Sequence, residues 1–167
     1  APSASLVAVP LSTKEIPFVF RMKTNDFQDV TVQGQITFRI ENPELAAQMI
    51  NFSINASGSY LSEEPEKLEE RIMRSVQVVV RNTMDNMNLQ SALTSAQLLT
   101  KTLQDELPAQ SSLQKIGIEI TEISLTAITP TPETAKALEA EVRESLLKDA
   151  DNAIYARRLS SIEKEKQ

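Results

Sequence analysis

The sequence predicts an α+β fold, in which a small antiparallel sheet with packed helices is followed by a long C-terminal helix. Apolar and polar side chains alternate over residues 30–40, as they do in a strand with one buried face. Over residues 64–87 the apolar side chains recur at spacings of three and four, as in an amphipathic helix. After Pro132 neither Gly nor Pro occurs through Gln167, so a single helix can occupy the end of the chain.

The first strands are predicted to form an antiparallel pair. Residues 16–22 alternate in the same way as the segment described above, and Asn25 and Asp26 supply turn chemistry between the two. A shorter candidate strand over residues 6–11 is assigned to a sheet edge, because Pro10 has no amide hydrogen to donate to a neighbouring strand.

A last strand is predicted over residues 116–128. Its apolar residues change phase at Thr121 and Glu122, which indicates a bulge. Gly34 interrupts the apolar positions of the earlier strand. A glycine inside a strand indicates close approach of a ligand, a bulge, or packing against a neighbouring helix.

The connection between the strands is predicted to be mostly helical. A short helix is predicted to begin at Asn42, Pro43 and Glu44 and to end near Asn51. The Asn side chain can cap the exposed amides of the first turn, the Pro ring presets φ, and the early Glu carboxylate suits the same amides. Residues 52–62 are predicted as a loop, since they contain a Gly and many Ser and Asn residues.

Two longer helices are predicted before the last strand. The first is the amphipathic segment 64–87, and the second covers residues 95–107 and ends before Pro108. The predicted inner faces are Leu68, Ile72, Val76, Val79 or Val80, Thr83 and Met87 on the first helix, and Ala96, Leu99 and Leu103 on the second.

Composition excludes several classes of function. The chain has no Cys and no His, which removes disulfides, Cys-ligated zinc, and Ser-His-Asp and Cys-His catalysis. The net charge of −6 disfavours binding to nucleic acid or to an anionic lipid surface. We therefore expect no enzyme, no cofactor, no metal and no nucleic-acid partner.

No apolar run reaches the roughly 20 residues that a transmembrane helix needs, and the first residues do not form a signal peptide. The sequence has no initiator Met and stops within a helical composition. We expect both ends to be cut points in a longer protein, so that this fragment is soluble and any membrane anchor lies outside it.

The C-terminal helix, which begins at Thr131 and Pro132, is predicted to pack along copies of itself. It is long and polar, and its apolar stripe is thin and rich in Ala, so a small core cannot bury it. The stripe fits a heptad and an eleven-residue spacing equally well, which leaves the hand of a supercoil open. The candidate oligomer interface is Leu138, Val142, Leu146, Ala150, Ala153, Ile154, Tyr155, Arg157 and Arg158.

Two parts of this candidate interface have alternative interpretations. Tyr155, together with Ile154, is either an interface anchor or a partly exposed aromatic residue on a solvated helix. Arg157 and Arg158 form either ion pairs between subunits or a contact with phosphates of a lipid or another acidic partner.

Thr24 and Asp26 form a Thr-x-Asp motif before the alternating strand, and Asn42 and Pro43 follow that strand. Gly117 lies in a later Ile-Gly-Ile strand that ends in Pro and leads into an Ala- and Glu-rich helix. In this order the motifs resemble the SPFH or band 7 domain of stomatins, prohibitins and flotillins. The segments that carry the resemblance are 22–26, 30–40, 42–43, 116–120, 128–130 and 135–144.

The resemblance implies an SPFH/band 7-like domain over residues 1–130 and the start of a long coiled-coil-like helix over 131–167. It implies anchoring to a membrane through an upstream hydrophobic segment or a lipid, on a side that stays open. It also implies homo-oligomers that form rings or large cages, organise membrane microdomains, and restrain or position membrane proteases.

Three functions follow as hypotheses. The first is a non-catalytic scaffold subunit that self-associates. The alternative is a regulatory binding module that engages a membrane protease or another single partner through residues 30–40 or the acidic helix. The third is an enzyme that uses carboxylates or Lys, although no catalytic residue stands out.

Overall fold

The computed structural model describes residues 5–108 and 111–165. These residues fall into two compact units that divide between Thr129 and Pro130. The predicted α+β class is confirmed, with small antiparallel sheets, packed helices and a long C-terminal helix. The elements are β1 (Leu6–Val7), β2 (Lys14–Lys23), β3 (Asp29–Ile40), α1 (Pro43–Met49), β4 (Ser53–Ile54), α2 (Glu64–Asp85), α3 (Leu89–Leu93), α4 (Ala96–Glu106), α5 (Ser111–Gln114), β5 (Ile118–Pro130) and α6 (Pro132–Glu165).

The predicted antiparallel pair is confirmed as the β2–β3 hairpin. Its register runs from Lys14 opposite Phe38 to Lys23 opposite Asp29, and β3 lies between β2 and β5 in a three-stranded sheet. Because side chains on a strand point alternately to opposite faces, the alternating pattern places one face of each strand in the core. The buried apolar residues of β2 and β3 are Ile16, Phe18, Met22, Val30, Val32, Ile36, Phe38 and Ile40.

The predicted loop over residues 52–62 was wrong in part, because it contains β4 and a buried aromatic residue. β4 pairs antiparallel with β1, with Leu6 opposite Ile54. The ring of Phe52 is buried and meets Tyr60 edge-on, with the ring centroids 6.0 Å apart, and the Tyr60 hydroxyl donates a hydrogen bond to the Ala8 carbonyl. A two-residue strand is too short for alternation to appear in the sequence, so only the distant partner reveals it.

The buried face of α2 follows the predicted stripe over most of its length, and the helix packs on β2 and on α4. The prediction was wrong at the end, where Met84 is buried instead of Thr83 and Met87. The helix stops at Asp85, and the Thr83 hydroxyl donates to the Val79 carbonyl at 2.9 Å. The buried residues of α2 are Leu68, Ile72, Val76, Val79, Val80 and Met84.

A short helix, α3, was not predicted. Asn88 begins it, because its Oδ1 accepts a hydrogen bond from the Ser91 amide at 2.9 Å. In α4, Leu99 and Leu103 are buried as predicted, whereas Ala96 is only half-buried. The segment after α2 is therefore a pair of short helices that close one side of the core.

The predicted start of α1 is confirmed, since Asn42 Oδ1 accepts a hydrogen bond from the Leu45 amide at 3.0 Å. The amides of Glu41 and Asn42 both donate to the Gly117 carbonyl, at 2.9 and 3.2 Å. These bonds join the end of β3 to the start of β5. The bulge at Thr121 and Glu122 stays a prediction.

Candidate functional site

Most of α6 is exposed within its own unit. At 1.5 Å per residue its 34 residues span about 50 Å. Every residue from Glu139 to Glu165 is exposed, and Leu138 is half-buried. All nine residues of the predicted oligomer interface lie on this helix. An exposed helix of this length has one face available to neighbours along nearly its whole extent.

Five of the nine predicted residues form a continuous stripe, here called the first apolar band. At 100° per residue they occupy an arc of about 120°, and Arg157 falls within the same arc. Val142 and Leu146 contribute its largest exposed side chains, at 57% and 64%. The first apolar band consists of Leu138, Val142, Leu146, Ala150 and Ala153.

The three remaining predicted residues lie outside this arc. Ile154 borders the first apolar band, but Tyr155 and Arg158 fall outside it. Tyr155 instead belongs with Leu159 and Ile162, at spacings of four and three. We call these three residues the second apolar band. It lies about 150° around the helix from the first apolar band.

Leu159 and Ile162 were missed by the sequence prediction, although both are large, apolar and nearly half-exposed. The signal that identifies them is the i, i+4, i+7 spacing that begins at Tyr155. The predicted stripe ran from Ala135 to Ile154, so it did not extend to these two residues.

The charges of α6 are mixed in sign. Eight acidic and six basic residues lie between Pro132 and Glu165. Within residues 5–108 and 111–165, no ion pair joins two side chains of this helix. Arg157 and Arg158 are therefore available for contacts outside their own helix.

In the first unit, Thr24 and Asp26 of the Thr-x-Asp motif connect the β2–β3 turn to α3. The Thr24 hydroxyl donates to Asp26 Oδ1 at 2.5 Å, and the Leu89 amide, 63 residues further along, donates to both carboxylate oxygens at 3.1 and 3.3 Å. The Asn25 amide also donates to the Met87 carbonyl at 2.8 Å. The motif is therefore a structural clamp in this chain.

The clamp sets the ionisation of Asp26. The hydrogen bond from the Thr24 hydroxyl holds the pKa of Asp26 below its ordinary value; partial loss of hydration opposes this effect, and the Leu89 amide adds to it. Hydrogen bonds to the charged form favour that form, so the folded state binds the Asp26 proton more weakly than the unfolded state does.

We expect Asp26→Asn to lower the stability of the first unit in a pH-dependent manner. Because the folded pKa is depressed, the stabilisation is present above the unfolded pKa, about 3.9, and is lost as pH falls through the lower folded value. Urea midpoints at pH 7 and pH 3 measure it, and the difference from wild type should shrink at pH 3. The matched control is Asp29→Asn, which removes the same charge from the same hairpin. A wild-type advantage over Asp26→Asn that is equal at both pH values would contradict the prediction.

No group of three or more Asp or Glu side chains in residues 5–108 and 111–165 is arranged to hold a metal ion. In the same part of the chain, no helix combines the length and the apolar character needed to cross a membrane.

Comparison with known proteins identifies the family. The family model for the SPFH domain / Band 7 family matches residues 2–159 of the 167 residues. No match is found among curated proteins. The matched region covers both the strand and helix order and most of α6. The chain therefore belongs to the SPFH domain / Band 7 family.

Proposed function

We propose that this chain is a non-catalytic scaffold domain that self-associates through α6 as part of a membrane-associated assembly. Family membership supports the general role, since SPFH/Band 7 proteins are membrane-associated scaffolds and are generally non-catalytic. The observation that carries the proposal is the exposure of every residue from Glu139 to Glu165 on a helix with two apolar bands. The membrane anchor belongs to a part of the protein outside this chain.

Two bands on different faces favour contacts with two neighbours. One partner helix can cover a single apolar stripe. When two apolar bands lie about 150° apart, a partner that covers one band leaves the other band exposed. Contacts between different surfaces on successive copies generate rings when the rotation closes and filaments when it does not. The mixed charges of α6 supply ion pairs between neighbouring helices, which set register more than affinity.

The test is the mass of the full chain over a concentration series, measured by light scattering after size exclusion. Wild type is expected to form oligomers that grow with concentration. Val142→Glu combined with Leu146→Glu is expected to weaken association at least about 100-fold, because each apolar side chain contributes about 1.5–3 kcal/mol when buried.

The matched control is Ala137→Glu combined with Ala140→Glu. It adds the same two charges to exposed positions of the same helix, on the side away from the first apolar band. Circular dichroism checks that helicity is unchanged. A wild-type chain that stays monomeric at all concentrations would contradict self-association and favour the alternative, a regulatory module that binds a single partner such as a membrane protease.

A further inference from the structure

The tip of the β2–β3 hairpin holds an aromatic residue in an unusual backbone conformation. The Phe27 amide donates to the Thr24 carbonyl at 3.0 Å, and the Thr24 amide donates to the Gln28 carbonyl at 3.0 Å, which closes a three-residue loop. In this loop Phe27 has φ +60°, and it is the non-glycine residue with positive φ in the described part of the chain. Gly or Asn take this position of such hairpins with little steric cost, whereas a bulky side chain is strained there.

The ring of Phe27 packs little against the rest of its own unit. Its side chain is 81% exposed, the largest exposure among the large apolar residues of the described chain. An exposed aromatic ring on a strained backbone gains little from burial in its own fold, so its presence points to a contact outside its own unit.

A cavity suited to such a ring lies at the other end of the same hairpin. Its volume is about 420 Å³, and a cavity of about 150 Å³ lined by apolar side chains is enough to bind benzene. Glu66 lies at its rim and forms no ion pair within the described residues, whereas Lys14 at the same rim pairs with Glu69. The apolar and aromatic residues that line it are Pro10, Phe38, Ile40, Phe52, Tyr60, Pro65 and Leu68.

We propose that Phe27 of one copy inserts into this cavity of a second copy. The tip and the cavity are separated by the ten paired residues of β2, about 30 Å, so one copy cannot fill its own cavity. The contact is head-to-tail and therefore propagates from copy to copy. The charges are compatible with it, because Lys23 beside the tip is mostly exposed, although it also lies 3.8 Å from Asp29, and its charge is opposite to that of Glu66 at the cavity.

This inference rests on the proposed self-association. A single ring in a cavity buries too little surface for a stable interface by itself. When α6 already holds copies together, the effective concentration of the tip near the cavity makes the contact significant. Burial of one phenyl group then strengthens association roughly ten- to a hundredfold.

Cysteine crosslinking tests the contact directly, because the full chain has no Cys. Asn25→Cys places a thiol beside Phe27 at the tip, and Ser12→Cys places one at an exposed residue that lines the cavity. The two single-cysteine chains, distinguished by a mass tag, are mixed and oxidised. The quantity measured is the ratio of the tip-to-cavity product to each same-site product. We expect this ratio to be at least about tenfold higher than the ratio that random collisions would give.

Two further variants complete the test. Phe27→Asn, added to Asn25→Cys, keeps a residue that suits positive φ but removes the ring, and is expected to abolish the enrichment. Gln97→Cys on the exposed side of α4 replaces Ser12→Cys as a control and is expected to give the random ratio.

The outcomes separate this inference from the proposed function. In the first outcome, oligomers form but the crosslink ratio is random, or Phe27→Asn does not change the enrichment. This outcome overturns the head-to-tail contact and leaves self-association through α6 unaffected. A second outcome is that tip-to-cavity crosslinks are enriched at high concentration, but Val142→Glu combined with Leu146→Glu does not change the measured mass. This outcome supports the contact and overturns the role of α6. A random ratio in a chain that is also monomeric overturns both.

Discussion

Replacing Ile72 by Ala is expected to lower the free energy of unfolding of the first unit by about 2–5 kcal/mol. Ile72 lies on the buried face of α2, which packs on β2 and on α4, and its side chain is 0% exposed. Truncation to Ala loses the free energy gained by moving the removed carbons from water into the core. It also leaves a cavity between α2, β2 and α4 that the tightly packed neighbours cannot fill. No other single truncation on α2 removes a larger fully buried aliphatic group from the centre of the helix.

Urea denaturation followed by far-ultraviolet circular dichroism measures this loss. Val78→Ala on the same helix is the control, because Val78 is 47% exposed and its truncation should cost well under 1 kcal/mol. Equal losses for the two variants would mean that α2 does not dock on the sheet in solution through the face described above.

Replacing Gly34 by Ala is expected to destabilise the same unit by about 1–3 kcal/mol, the usual cost of overpacking. A Cβ at this position would lie 2.4 Å from the Ser124 carbonyl oxygen of β5 and 2.9 Å from Cζ of Phe18. Phe18 is the direct cross-strand partner of Gly34, and its ring stacks on Phe20 with centroids 4.7 Å apart. The ring fills the space that a side chain would otherwise occupy.

The comparison for this prediction is Gln33→Ala, at the adjacent exposed position of β3. Its midpoint in urea should lie close to that of wild type, while that of Gly34→Ala falls. An unchanged midpoint for Gly34→Ala would show that β5 can move away from β3 at no cost.

Gly34 also shows which kind of contact cannot be predicted from the sequence. A glycine among alternating apolar residues indicated a ligand, a bulge or a helix nearby, yet the neighbour is the backbone of β5. Sequence position alone does not reveal which distant strand passes close to a given residue. The same limit applies to β4, which exists because β1 pairs with it, and to Asp26, whose carboxylate receives an amide 63 residues away.

Periodicity within one element was a better guide. The alternation of β2 and β3 and the three- and four-residue spacing on α2 identified their core faces, because a regular backbone repeats its geometry every two or 3.6 residues. On α6 the spacing also identified the first apolar band. Tyr155 lies on a different face, together with Leu159 and Ile162, and its role as an interface anchor stays a prediction.

The sequence by itself therefore determined the α+β class, the family, the β2–β3 hairpin, the capped start of α1 and the length of α6. Each of these depends on local repeats, caps and ordered motifs that lie within a single element or its immediate neighbours. Only the tertiary structure decided the close approach at Gly34, the end of α2, the β1–β4 pair, and the cavity at one end of the hairpin with Phe27 at the other. These depend on residues far apart in the chain, whose meeting is set by packing of whole elements.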